Sequence, residues 1–362
     1  MIFNKTYTWL SKSLVNHSNF KGFFEPLIQL VFSGWSASGY RAKVVTIRDE
    51  NESVYSLVLK VSKRWKGFNS GQYVEITTTQ DGARISRIFS ISSPRKLFTT
   101  KRIIELTIRK QENGRITPWI YETFKKGHII TLSQAQGDFT IASHTKPLLF
   151  IAGGSGITPF RSMLADYAQS HYLSDVKLMY YARNNDHLFS QELQKLQNEH
   201  SKINISLINT KDSGHINSAH LNQHCDDFAN REIFICGPDG MIQTSEELLL
   251  SNGIDQEKIH HEHFGPAAIG KLDIETNGIV KFIQSSKQTQ FLYDTPKTLL
   301  ELAESLGLKP TTGCRAGICH QCVCKKQQGT VFNTLTKKFS DTGSQDIQLC
   351  VSVPVGDVNL NL

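Results

Sequence analysis

The sequence predicts a multi-domain chain: an antiparallel β-barrel or sandwich, then an α/β domain on a parallel sheet, then a smaller α+β domain. Three observations predict it. Residues 39–142 are dense in short β-rich runs broken by glycine. Residues 143–265 alternate strand-like with helix-like segments. Residues 269–362 mix strands with one helix and hold five of the chain's seven cysteines.

The bulk properties fit. A length of 362 residues suits two or three domains. With 39% hydrophobic and 20% charged residues the chain has material for ordinary cores, and wholesale disorder is excluded. Lys plus Arg number 40 against 33 Asp plus Glu, a surplus of 7 that nowhere forms a run. A nucleic-acid-binding arm is therefore not expected, whereas anionic ligands are. No window of about 18 apolar residues predicts a membrane-spanning helix, and the N-terminus lacks a secretory pattern. An odd cysteine count, with four cysteines between 314 and 324, argues against a secreted disulfide framework. It points to a metal site in a reducing, cytoplasmic compartment.

Residues 1–38 form a leader. The spacing of Phe23, Phe24, Leu27, Ile28 and Val31 suits an amphipathic helix with Pro26 in its first turn. Its polar side is not rich in Lys and Arg, so packing on the next domain is preferred over docking to a membrane surface. In 39–142, Val54–Leu59 and Ile103–Ile108 read as strands, with Gly67, Gly71, Gly82, Gly114 and Gly127 as turn positions. In 143–265, strands are expected at Leu148–Ala152, Val176–Tyr181, Ile203–Ile208, Ile233–Cys236 and Ile259–His263. Helices are expected from Pro159 to about Ser170 and over Ser190–Glu199. In 269–362, Leu299, Leu302, Ala303 and Leu306 mark a helix face that Gly307 ends.

The most specific motif is Cys314, Cys319 and Cys322 in C-x4-C-x2-C spacing, followed by Cys350. This is the plant-type pattern for a [2Fe-2S] cluster. Each tetrahedral iron needs two terminal thiolates besides the bridging sulfides. A tight loop supplies three, and small Gly313, Ala316 and Gly317 let backbone N–H groups approach the sulfurs. Structural zinc is the alternative, but only Cys319 and Cys322 form a zinc-type knuckle. Cys324 would share a face with Cys322, yet Cys350 suits the fourth position better.

In the second block a buried strand runs into Gly153-Gly154-Ser155-Gly156, with Thr158 expected as N-cap and Pro159 at the first helical position. Glycines let a pyrophosphate approach the backbone, and the helix N-terminus offers N–H groups and positive potential. Cys236-Gly237-Pro238-Asp239-Gly240-Met241 follows a later parallel strand and offers a second loop at the carboxyl edge of that sheet. Together they predict a nicotinamide nucleotide. In the first block, Arg87-Ile88-Phe89-Ser90 presents a cation and a ring on one strand face. Gly114-Arg115-Ile116-Thr117-Pro118 offers a second diphosphate cradle, with Thr117 expected as N-cap.

In this order the motifs resemble the ferredoxin–NAD(P)H reductase superfamily, in the single-chain form with a C-terminal plant-type ferredoxin domain, over residues 39–362. The resemblance implies an FAD-binding β-barrel (39–142), an NAD(P)-binding α/β domain (143–265) and a β-grasp [2Fe-2S] domain (269–362). It implies that Arg87 holds the FAD pyrophosphate, that Ser90 lies near flavin N5, and that Phe89 stacks on the flavin. Phe89 stands where the family's R-x-Y-S motif has Tyr, so no phenolic hydrogen bond is available. Gly114, Ile116 and Thr117 match the second phosphate loop. Gly153, Gly154, Gly156, Thr158 and Pro159 match the nucleotide loop, and Cys236, Gly237, Pro238 and Met241 the loop beside the nicotinamide. Phe264, ending Glu262-His263-Phe264, would cover the flavin. A metal site on His260, His261 and His263 is set aside, because that strand already has a reading.

The cofactors so implied are FAD, a [2Fe-2S] cluster and NADPH or NADH. A nicotinamide gives two electrons as a hydride and a cluster takes one at a time, so flavin must stand between them. The stretch Phe264–Lys271 reads as a linker that tethers the cluster domain. Arg183, after the second parallel strand, favours a 2′-phosphate and hence NADPH, while Asp186 argues for NADH. The expected partner is an external terminal acceptor, first an acyl-lipid desaturase, then a Rieske-type oxygenase, a cytochrome P450 or a hybrid-cluster protein. Such an acceptor would place the chain at the inner face of a membrane. In 269–362, 10 Lys plus Arg against 8 Asp plus Glu leave the cluster-bearing domain near neutral, which favours apolar or tether-dependent recognition. A non-catalytic redox sensor is the reading from another class; the sequence offers no output module for it.

Overall fold

The computed structural model describes residues 39–80, 83–111, 116–142, 145–169, 174–263, 277–292, 296–317, 320–336 and 338–362. The expected leader helix, the linker, Gly114, Phe264 and Cys319 lie outside the described residues.

The first domain is a six-stranded sheet of β1 (Tyr40–Asp49), β2 (Val54–Val61), β3 (Tyr73–Gln80), β4 (Ala83–Ser90), β5 (Ile103–Arg109) and β6 (Ile129–Leu132). Their order is β4-β3-β6-β1-β2-β5, and the β1–β2, β1–β6, β2–β5 and β3–β6 pairs are antiparallel. The two ends of that order meet just past β4. Ile91 bridges Leu106, and the Ser92 N–H donates to the Glu105 carbonyl at 2.9 Å. That seam turns the sheet into a barrel and removes two edges that would otherwise offer unpaired backbone groups. Leu57, Leu59, Ile104 and Leu106 are fully buried, each burial worth about 1.5–3 kcal/mol. Ser56 and Ser92 survive inside because both share hydrogen bonds of 2.8 Å with Thr107 Oγ1. Two short helices join this domain, α1 (Arg95–Lys101) and α2 (Thr117–Thr123).

The second domain holds β7 (Leu148–Gly153), β8 (Val176–Ala182), β9 (Ile203–Asn209), β10 (Glu232–Gly237) and β11 (Ile259–His263) in the order β11-β10-β7-β8-β9. The β7–β8, β8–β9 and β10–β11 pairs are parallel. Every residue of β7 is buried, as expected of a strand covered on both faces. Helix α3 spans Ile157–Gln169, α4 Ser190–Glu199 and α5 Asp239–Ser251. α3 therefore starts earlier than the Pro159 expected from sequence. A 3-10 turn over Gly154–Gly156 leads directly into it, so Thr158 lies inside the first turn rather than at the cap. Its hydroxyl donates to the Ser155 carbonyl at 3.0 Å.

The third domain holds β12 (Gly278–Phe282), β13 (Lys287–Phe291), α6 (Leu299–Ser305), β14 (Val323–Asn333), β15 (Lys338–Phe339), β16 (Gln345–Gln348) and β17 (Ser352–Leu360). The strand order is β13-β12-β17-β14-β15, with β16 on β14. β12 and β17 are parallel, and the other registered pairs antiparallel. α6 opens with a full capping box: the Glu301 N–H donates to Thr298 Oγ1, and the Thr298 N–H donates to the Glu301 carboxylate. Its Leu299, Leu300, Leu302 and Ala303 fill one core with Val280, Phe282, Val331, Val351 and Val358. Gly307, at φ +73°, ends the helix while the Leu308 N–H returns to the Ala303 carbonyl.

Among the described residues no helix is long and apolar enough to cross a membrane.

Candidate functional site

The cysteine loop shows its chemistry most directly. Cys314, Cys322 and Cys350 are buried. The Cys322 and Cys350 sulfurs lie 3.1 Å apart. The contact with Cys350 lowers the Cys322 thiol to about 7, and the same contact together with burial pushes Cys350 up. A buried thiol held near neutrality beside a second cysteine suits a metal-binding pair. The Ala316 N–H donates to the Cys314 sulfur at 3.3 Å, the type of bond that stabilises a thiolate and tunes a cluster's potential. Cys324 takes another place. It lies on β14, in the domain core, with its sulfur near the Asn361 carbonyl at 3.8 Å, and burial pushes its thiol up. Among the described residues no three His, Cys, Asp or Glu side chains gather as they would on a single metal ion. A two-iron cluster asks instead for pairs of thiolates, and Cys322 with Cys350 is such a pair. The residues present therefore fit the cluster.

The loop is held from three directions. Arg315, at φ +60°, forks onto Glu304 at the end of α6, with Nη1 3.0 Å from Oε2. Gln348 Nε2 donates to the Gly317 carbonyl at 2.7 Å. The Leu349 N–H donates to the Cys322 carbonyl at 3.0 Å. Gly317 sits at φ +73°, and a Cβ there would come 2.9 Å from Val351 Cγ1. Both the backbone sign and the space disfavour a side chain at this position.

In the nucleotide domain, Gly153 ends β7 in extended conformation, and Gly154 turns at φ +54°. Tyr180 on β8 fixes that turn. Its hydroxyl donates to the Gly154 carbonyl at 3.0 Å and accepts from the Leu188 N–H at 3.0 Å. Burial raises the Tyr180 hydroxyl, so it stays protonated. Gly156, Thr158 and Pro159 are buried beneath the loop. Arg183 follows β8 on the exposed surface. Asp186, which argued for NADH, accepts a hydrogen bond of 2.7 Å from Asn51 of the β1–β2 turn.

Gly237 ends β10, Pro238 caps α5, and Met241 lies in its first turn. Cys236 is fully buried and registers opposite Glu262 of β11. Burial first, and the Glu262 carboxylate second, push its thiol well above the usual cysteine range. Cys236 is thus a neutral thiol at physiological pH, suited to packing rather than to acting as a nucleophile.

In the barrel, Arg87 and Phe89 are half-buried on β4 and Ser90 is buried at its end. Arg87 Nη1 donates to the Ser86 carbonyl at 2.7 Å. Thr117 is the first residue of α2 rather than its cap, which is Ile116 without a side-chain bond. The Thr117 hydroxyl instead accepts from the Gln111 N–H at 3.0 Å. These residues suit a bound diphosphate and ring: a guanidinium, a ring that is not sealed in the core, and a small buried hydroxyl.

Motif reading missed one group. Arg161 on α3 and Glu105 on β5 are both buried and pair at 2.8 Å. Neither belongs to a recognisable pattern. An Arg two positions past Pro159, inside an otherwise apolar helix, was the one available signal.

The fold and these sites define a class: an oxidoreductase that binds FAD, a nicotinamide nucleotide and a [2Fe-2S] cluster. Comparison with known proteins agrees. Residues 41–141 match the oxidoreductase FAD-binding domain family, 150–247 the oxidoreductase NAD-binding domain family, and 282–355 the 2Fe-2S iron–sulfur cluster binding domain family. The chain belongs to the ferredoxin–NAD(P)H reductase superfamily, in the form that carries its own [2Fe-2S] domain. It is 29% identical over 336 residues to an NADPH oxidoreductase of Mycobacterium tuberculosis, covering 91% of this chain and 86% of that one. It is 26% identical to the glycine betaine monooxygenase reductase subunit of Pseudomonas aeruginosa, covering 80% and 86%. Phthalate dioxygenase reductase shares its fold at a TM-score of 0.61 and 18% identity, over 90% of this chain and 98% of that one.

Proposed function

We propose that this chain takes hydride from NADPH and delivers electrons one at a time to the iron centre of a separate oxygenase-type protein. When bound, FAD would supply an acceptor for one hydride and its two electrons, and a [2Fe-2S] cluster would supply a one-electron carrier. The chain's own residues do the rest. Arg87 and the Ile116–Thr117 turn hold the flavin diphosphate, Phe89 and Phe264 contact the ring, and Ser90 sits at its reactive edge. Gly153, Gly154 and the start of α3 bind the nucleotide diphosphate, and Arg183 meets the 2′-phosphate. Cys236 and Pro238 pack beside the nicotinamide and keep water away. Cys314, Cys319, Cys322 and Cys350 ligate the cluster.

The observation that carries this reading is the buried Cys322–Cys350 pair, with sulfurs in direct contact, on the same chain as a flavin domain and a nucleotide loop. The oxygenase-type acceptor is supported by the monooxygenase reductase subunit and the dioxygenase reductase named above. The desaturase acceptor rests on the sequence resemblance and is tested beside it. Asp186, engaged by Asn51, supports NADPH over NADH, as does the name of the mycobacterial relative. The test is an anaerobic titration of the purified protein with each nucleotide, followed by mixing with a Rieske-type oxygenase component or a desaturase. Bleaching of flavin and cluster bands by NADPH, then cluster re-oxidation by the oxygenase, is expected. Re-oxidation by the desaturase alone would overturn the acceptor, and bleaching by NADH alone the donor.

A further inference from the structure

Arg161 lies on α3, two residues past Pro159 of the nucleotide loop, and its guanidinium joins three segments. Nη1 donates to Glu105 Oε2 of the barrel at 2.8 Å and lies 3.5 Å from the Ser92 carbonyl. Nε contacts both carboxylate oxygens of Glu192, in the first turn of α4, at 3.0 Å. Its Cζ lies 4.3 Å from the centre of the Phe189 ring, just before α4. The neighbouring Ser162 hydroxyl donates to the Ser93 carbonyl at 2.8 Å. Ser92 and Ser93 are the second and third residues after Ser90, and Ser93 Oγ accepts from the Glu105 N–H at 3.0 Å. The barrel end of the network is thus the seam beside Ser90. The other end is the helix that begins at the nucleotide loop and the turn that follows Arg183.

A buried ion pair is a poor source of net stability, because desolvation offsets the attraction. Its geometry is nonetheless strict. A planar fork bonded on two sides fixes orientation in a way a packed Leu or Met would not. Hydride transfer needs reacting atoms about 3–3.5 Å apart, and a misplacement of about 1 Å costs on the order of 10²-fold in rate. We propose that Arg161 is a positioning residue: through Glu105 and Ser92 it locks the nucleotide-binding loop in register with the Ser90 segment, and so sets the approach of nicotinamide to flavin. The inference rests on the reductase reading above and adds a residue that no motif of that reading includes.

The test uses full-length protein carrying Arg161→Met, Arg161→Lys or Glu105→Gln, flavin-loaded for the first two readouts and flavin-free for the third. Glu105→Gln keeps size and hydrogen bonding, so it remains informative if Arg161→Met fails to fold. Three readouts are taken: the stopped-flow rate of flavin bleaching by NADPH, the Kd for NADP+, and hydrogen exchange of the segments 90–93 and 153–159 in protein stripped of flavin. Expected results are a fall of about tenfold or more in bleaching rate, a Kd within about threefold of wild type, and faster exchange in both segments together. Arg161→Lys should recover part of the rate, since it keeps the charge but loses the fork. Unchanged bleaching in Glu105→Gln and Arg161→Lys would overturn the positioning role. So would a loss seen in Kd alone, or faster exchange spread over the whole barrel, which would mark plain destabilisation. If wild-type flavin is not bleached by either nucleotide, the reductase reading fails first, and that outcome is distinct.

Discussion

In the C-terminal domain three of the four expected cluster ligands come from residues 314–322, and the fourth from position 350. In the barrel and the nucleotide domain, the groups proposed to hold flavin and nucleotide come from β4, α2, β7, the start of α3, the residue after β8, β10 and the start of α5, with positions spread from 87 to 241. The first arrangement lets a short loop define a site almost alone. The second needs several elements to arrive in register, and supporting contacts such as Glu105–Arg161 span 56 residues of sequence. A local site concentrates its vulnerability in a few side chains; a dispersed one spreads it over packing and buried polar contacts.

The comparison breaks most sharply at the cysteines. Cys350→Ser should abolish the cluster signal and lower NADPH-driven cytochrome c reduction by about 10²-fold or more, while flavin-dependent ferricyanide reduction persists. Visible spectra and paired assays check this, and parallel loss of both activities would show that the two regions are not separable. Gly317→Ala is next. A positive φ and the contact with Val351 should cost about 1–3 kcal/mol, read as a lower Tm and lower cluster occupancy with normal flavin content.

The dispersed half is probed by pH. The folded Cys236 thiol is raised above its unfolded value of about 8.5. Its contribution is therefore fully present below about pH 8.5 and is lost as pH rises from there toward the folded value, at up to about 1.4 kcal/mol per pH unit. Denaturant melts between pH 8 and 10 should show that decline, and Cys236→Ala should flatten it. Alkylation of native protein should also leave Cys236 unmodified. The smallest expected effect is Thr298→Ala, which removes the α6 cap at a cost of about 1 kcal/mol in chemical denaturation. It should leave both cofactors in place.

The same contrast explains what could be read from the chain alone. The three-domain order was legible because period and glycine punctuation change at about 142 and 269. The cluster was legible because thiolates at fixed short spacing have few other uses. Helix starts were less so. A glycine run followed by Thr-Pro suggests a cap at Thr158, but the 3-10 turn over Gly154–Gly156 begins the coil earlier, and Thr158 spends its hydroxyl on Ser155. Thr117 misled in the same way, since its oxygen is used by Gln111. Arg161 and Glu105 were barely legible: beyond an Arg in an otherwise apolar helix, each reads as a surface charge until tertiary structure brings them to 2.8 Å. The fate of Asp186 was hidden for the same reason, because its partner Asn51 lies in another domain.

The place of Cys350 bears on how the protein matures. It sits in the turn between β16 and β17, and β17 is an interior strand of its sheet, flanked by β12 and β14. Three of the expected ligands lie within nine residues of sequence, whereas the position of Cys350 depends on β17 taking its place between β12 and β14. Iron acquired before that moment would have an open coordination position and be easily lost to chelators. Retention of the metal would then report that the sheet is complete.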